Sequence, residues 1–241
     1  MRQIKKTYKK GVLRKLFIKA CRLLGYELID QADMSFVTSL NSKSASITGN
    51  KSITLPLGEI KIKRKIQSVD IILKTCTSVN LVTQNKKRIF EEVKSEYTFR
   101  TINSLIRSTK KALENTKNIN FKITVIDAGS PRNDIDKMVQ ILNKSNLEFN
   151  MINLDLNNYL EKIKIIDKNN AQIENNMRST MASIIKSFEV SKNAKDLVYF
   201  VEDDYIHSLD CILEMISVYE KFSTILENEI FIVPVDYPYL Y

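Results

Sequence analysis

The stretch Asp196-Leu197-Val198-Tyr199-Phe200-Val201-Glu202-Asp203-Asp204-Tyr205 decides how the chain is read. Asp196–Val201 is an apolar, β-type run, the pattern of a buried strand. It leads directly into three consecutive carboxylates. Adjacent negative charges repel one another and cost stability unless a counter-charge is near. In a strand-like conformation Glu202 and Asp204 face one side and Asp203 the other. A hard divalent cation, Mg2+ or Mn2+, is the natural partner, since it takes one or two carboxylates and leaves its other positions to water and phosphate oxygens. The bland alternative is that these acids cap the following helix, where negative charge is favoured. That explains one acid better than three.

Working outward, the same pattern recurs. Val69–Cys76 (VDIILKTC) is an apolar run, and Phe121–Ile126 (FKITVI) is a second that ends in Asp127-Ala128-Gly129-Ser130. Glu148–Leu154 is a third strand, Asp196–Val201 the fourth and Ile230–Val235 (IFIVPV) the fifth. Helices alternate with them. Ser95 is placed to cap one over Glu96–Asn115. Pro131 opens another with Ile135, Val139 and Leu142 on its core face. A long one covers Ile173–Val190, and one runs from Leu209 to Leu226. Apolar strands alternating with helices predict an α/β fold, a mostly parallel sheet with helices on both faces. In such sheets ligands gather at the carboxyl ends of the strands. That rule points to Lys74–Thr77, Asp127–Ser130, Glu202–Asp204 and Asp236.

The chain has 241 residues, 44% of them hydrophobic, which suffices for one core plus an appendage. Its 37 Lys and Arg exceed its 28 Asp and Glu to give a net charge of +9. Residues 1–24 hold nine of those bases and no acid, so the rest is balanced and offers no basic excess to a nucleic acid. From Val12 to Leu24, Leu13, Leu16, Phe17, Ala20 and Leu24 share a stripe while Lys15, Lys19 and Arg22 lie opposite. Residues 1–25 therefore read as a basic amphipathic helix with Gly25 as its stop. It either docks on its own domain or lies on an anionic membrane surface. Residues 26–66 read as a linker with a short strand pair around Pro56–Gly58. Three scattered cysteines and one histidine, His207, argue against a zinc site and for reduced thiols in the cytoplasm. No apolar run is long enough to span a bilayer.

A strand, then Glu202-Asp203-Asp204, then a loop and a helix, after an α/β half, resembles the GT-A glycosyltransferases, which use nucleoside-diphosphate sugars. The resemblance covers residues 67–241 and is closest to uncharacterised bacterial family 2-like members. It implies a Rossmann-like GT-A fold and metal-assisted transfer of a sugar to a glycan or lipid-linked acceptor, with Mn2+ or Mg2+ as cofactor. By resemblance Asp204 binds the metal, Glu202 and Asp203 contact the ribose or the metal's waters, and Asp127, in VIDAGS, lies near the base. Ala128 stands where a second acid is often found. Thr75 sits by the nucleotide, and Arg178, in Asn176–Thr180, meets the diphosphate or simply faces solvent. Asp236 is the base by position, although Pro234 and Pro238 equally suit a plain turn. His207 reads as a surface or capping residue rather than a third ligand. The tail Tyr237, Tyr239, Tyr241 either stacks on a sugar or packs.

Two readings stay open at the end of the chain: a member lacking part of the acceptor half, or a complete but unusual protein. The alternative to an enzyme is a non-catalytic GT-A-like binding or scaffold domain at the membrane surface. Another phosphate-handling enzyme is disfavoured, because neither GxxxxGK[ST] nor GxGxxG occurs. The expected location is cytoplasmic, at the inner face of the cell membrane if the N-terminal helix docks there.

Overall fold

The computed structural model describes residues 12–24, 49, 51–55, 58–78, 93–116, 118–163 and 171–233. The chain divides into two units, and the larger, Ser42–Pro234, holds every element but the first helix. That helix, α1, spans Val12–Leu23. In the larger unit β1 (Ser52–Leu55) and β2 (Gly58–Lys61) form an antiparallel hairpin. The chain then continues through Ile62 and Ile66, both buried, into the main sheet.

The main sheet alternates as the apolar runs predict. Its elements are β3 (Ser68–Thr75), α2 (Lys94–Asn115), β4 (Asn120–Asp127), α3 (Arg132–Asn143), β5 (Glu148–Asn153), α4 (Ala171–Ser191), β6 (Leu197–Glu202) and α5 (Cys211–Leu226). All four strands are parallel, in the order β5-β4-β3-β6. β3 is central, and its Ile71, Ile72 and Leu73 are at most 1% exposed, so both of its faces are covered. Each such side chain contributes about 1.5–3 kcal/mol on burial. One face, with Ile71, Leu73, Val125 and Val201, packs on Ile102 and Leu105 of α2, Met138 and Leu142 of α3, and Ile212 and Ile216 of α5. The alternate residues face α4, where Phe188 meets Phe200 edge to face with ring centroids 5.5 Å apart. The chain is thus an α/β protein with a Rossmann-like sheet.

Successive strands are laid from β3 through β4 to β5. The α4 connection then crosses the opposite face and adds β6 on the other side of β3. The order reverses between β3 and β6, and in open α/β sheets the crevice outside the carboxyl ends at such a topological switch is where ligands bind.

The amino ends of the strands are closed by ionic contacts. Arg64 Nη2 lies 2.5 Å from Asp196 Oδ1 and Arg64 Nε 2.9 Å from Glu229 Oε1. The amide of Gln67 also donates to Asp196, at 2.7 Å. Burial alone would raise the Asp196 carboxyl's pKa, but the bonds from Arg64 and Gln67 hold it below its ordinary value.

Two sequence expectations fail here. Residues 230–233 form no strand: Ile230 and Ile232 pack on the core, while Phe231 and Val233 are exposed. The reason is the position of α5, which packs on the same face as α2. A parallel strand laid beyond β6 through α5 would have the opposite hand to the other crossovers, which sheets avoid. Residues 234–235 of that expected strand lie outside the described residues. Ser95 is not the cap of α2 either. The helix starts at Lys94, and Val93 at the cap position makes no side-chain cap bond.

Candidate functional site

Of the expected site residues, Thr75, Asp127, Glu202 and Asp203 come together at the carboxyl edge of the sheet because three strands end there in register: Thr75 beside Asp127, and Lys74 beside Glu202. Thr75 is buried and its hydroxyl donates to Asp127 Oδ1 at 2.8 Å. The Ser130 hydroxyl donates to the same oxygen at 2.5 Å, and the amides of Gly129 and Ser130 donate to Oδ2 at 3.1 and 2.9 Å. A carboxylate has about four lone-pair sites, and those on Asp127 are filled by three bonds from its own loop and one from Thr75 of β3. Gly129 takes φ +102°, a backbone conformation that suits glycine, so that the chain can curl around the acid. Asp127 is thus the organiser of the β4–α3 turn.

The three acids at the end of β6 part company. Glu202 turns to the α4 side, and its exposed carboxylate pairs with Lys74 Nζ at 3.0 Å. Asp203 turns to the α2 side and is 8% exposed. Its Oδ1 meets Lys94 Nζ at 2.5 Å, and its Oδ2 accepts from Thr98 Oγ1 at 2.9 Å and from the Cys76 amide at 3.2 Å. Asp204, in the turn after β6, is exposed. Two lysines therefore supply counter-charge that the bare sequence assigned to a cation. Lys74 and Lys94 stand 128 and 109 residues from their partners, too far for any spacing rule to reveal.

Cys76 lies at the centre. Its thiol donates to the Ala128 carbonyl at 3.2 Å. Burial pushes that thiol's pKa up, a bond with Ser78 opposes the rise, and the charges of Asp127 and Asp203 add to it. The nearby Ser179 of α4 also opposes the rise, so α4 comes close to the end of β3 from the other face. Arg178, half-buried, is the adjacent residue of α4. Asp236 and the tyrosines of the tail lie outside the described residues.

His207 is neither a surface residue nor a cap. It is 8% exposed, with Nε2 3.0 Å from the Tyr199 hydroxyl, and its amide donates to Ser104 Oγ at 3.1 Å. Burial lowers its pKa to about 4, so the ring is neutral at pH 7. After Asp204 the chain folds back onto α2, which carries the imidazole away from solvent.

Among the described residues no group of three or more His, Cys, Asp and Glu is placed to hold a metal. Glu202 and Asp204 are exposed oxygen donors of the kind Mg2+ or Mn2+ takes one or two of, completing its shell with water and phosphate, and Glu202 is already paired with Lys74. The chain matches no protein-family model and no curated protein.

Proposed function

We propose that this chain is a GT-A-type glycosyltransferase that moves a sugar from a nucleoside-diphosphate-sugar donor to a glycan or lipid-linked acceptor. The observation that carries the reading is the acidic strand end at the topological switch, with Glu202 and Asp204 exposed and Asp127 and Asp203 shaping the loops beside them. In this reading Thr75, Cys76 and Asp127 form the floor under the nucleotide. Arg178 meets the diphosphate. Asp204 would hold Mn2+ or Mg2+, and Glu202 would meet the metal's waters or the ribose. The bound cation supplies Lewis-acid neutralisation of the leaving diphosphate. The bond between the anomeric carbon and the diphosphate oxygen breaks, and the acceptor oxygen takes its place. The acceptor's proton passes to a carboxylate base; the residue the sequence suggests for that role, Asp236, lies outside the described residues.

The N-terminal segment fits the same reading. Among the described residues no helix is long and apolar enough to cross a membrane. The helix α1 carries Arg14, Lys15, Lys19 and Arg22 with no acid, and each base near an anionic surface is worth about 1 kcal/mol. We assign it to the inner face of the cell membrane, near a lipid-linked acceptor.

One observation favours a second reading, a non-catalytic GT-A-like scaffold domain: Lys74 and Lys94 already neutralise two of the three acids. A thermal-shift screen separates the two. The enzyme reading expects a UDP-, GDP- or TDP-sugar to stabilise the chain only with Mn2+ present, and expects Asp204→Asn to abolish the shift. No shift with any donor and metal leaves the scaffold.

A further inference from the structure

We propose that Lys94 and Thr98 are positioning residues that clamp Asp203 and thereby set the turn presenting Asp204. The clamp itself is independent of the glycosyltransferase reading; its effect on donor binding rests on that reading.

The Asp203 carboxylate joins three separate elements. Lys94 and Thr98 come from the first turn and a half of α2, the Cys76 amide from the end of β3, and the acid from the end of β6. A carboxylate this buried is stable only when paired and hydrogen-bonded. Asp203 and Asp204 share one peptide plane, and only a few soft dihedrals separate their side chains. Fixing the first carboxylate therefore restricts where the second can point. The clamp also offsets repulsion among Glu202, Asp203 and Asp204, which would otherwise splay the turn. It reaches further through β3, since Cys76 adjoins Thr75, whose hydroxyl bonds Asp127. One lysine thus couples the two acidic loops on either side of the crevice. It also explains the start of α2: Val93 makes no side-chain cap bond, and the buried Asp203 supplies negative charge at the helix's first turn.

Hydrogen exchange by mass spectrometry on the full chain tests the clamp. Lys94→Met should speed exchange in peptides covering 74–78 and 199–206 by roughly ten- to a hundredfold, the loss expected for hydrogen bonds to a charged group. Peptides from β5 should keep their protection, and Lys94→Arg should restore most of the lost protection. Thr98→Val, a milder change, should give a smaller effect of the same pattern and decides the matter if Lys94→Met fails to fold. Unchanged exchange in the variant that folds overturns the clamp. The second readout is the Mn2+ midpoint for stabilisation by UDP-glucose, GDP-mannose or TDP-glucose. Lys94→Met should raise it about tenfold, and Lys94→Arg should return it toward wild type. Faster exchange with an unmoved midpoint overturns the positioning role. If no donor stabilises the wild type yet exchange responds as expected, the clamp stands and the glycosyltransferase reading falls.

Discussion

Replacing Asp203 by Ala should destabilise the fold far more than replacing its neighbour Asp204. The side chains of Lys94 and Asp203 are only 15% and 11% exposed. Removing the acid leaves the ammonium of Lys94 shielded from water and without this partner, and strands the Thr98 hydroxyl and the Cys76 amide. Breaking one side of a buried pair costs about 3–5 kcal/mol. That is a large share of the roughly 5–15 kcal/mol that holds a typical domain together. Asp204 is exposed, and exposed substitutions usually stay within about 0.5 kcal/mol. The assay is urea unfolding followed by far-UV circular dichroism, since the chain has no tryptophan. The midpoint for Asp203→Ala should fall while the slope stays constant. A double-mutant cycle with Lys94→Ala should show the two losses to be strongly non-additive. Asp203→Ala within about 1 kcal/mol of wild type, or Asp204→Ala equally damaging, would refute this division between a structural acid and a presented one.

Other perturbations have equally definite outcomes. His207 has a folded-state pKa of about 4, below its unfolded value of 6.5, so the unfolded chain binds the extra proton first. Stability should fall as pH drops through this window, by about 2 kcal/mol between pH 7 and pH 5, and His207→Gln should flatten that slope in unfolding measurements. Arg64→Ala should cost about 1–2 kcal/mol by leaving the half-buried Asp196 without its guanidinium partner, the Gln67 amide remaining. Because pairing depresses the Asp196 pKa, that difference should persist at neutral pH and shrink as pH falls below 3.8, visible in the same unfolding curves. Gly129→Ala should cost about 1–2 kcal/mol through its positive φ, with no steric clash, and thermal unfolding checks it.

Strand and helix boundaries were legible because buried parallel strands are apolar on both faces. Val69–Cys76 and Phe121–Ile126 match β3 and β4 to within a residue at each end. The long helix read over Ile173–Val190 is α4, Ala171–Ser191. That Lys74–Thr77, Asp127–Ser130 and Glu202–Asp204 lie along one edge of the sheet followed from the rule that ligands gather at carboxyl strand ends, whereas the pairing of β3 with β4 and β6 emerged only from the fold. Partners distant in sequence were not legible. Lys74 and Lys94 look like ordinary helix and strand-end lysines until the fold brings them to Glu202 and Asp203. The apolar run at Ile230 satisfied every local criterion for a strand. The handedness of its connection, a property of the whole sheet, kept residues 230–233 from pairing. His207 was misread because a single residue's burial depends on where the chain turns next. Nothing in the residues beside it records that turn.

The most direct test of the central claim is donor binding at the crevice. Thermal unfolding of wild type and Asp204→Asn should be compared with UDP-, GDP- and TDP-sugars, each with and without Mn2+. The account predicts that at least one donor stabilises the wild type in a strictly Mn2+-dependent way, and that Asp204→Asn, equally stable without ligand, loses that response. Stabilisation by a donor that is independent of Mn2+, or retained in full by Asp204→Asn, would contradict it.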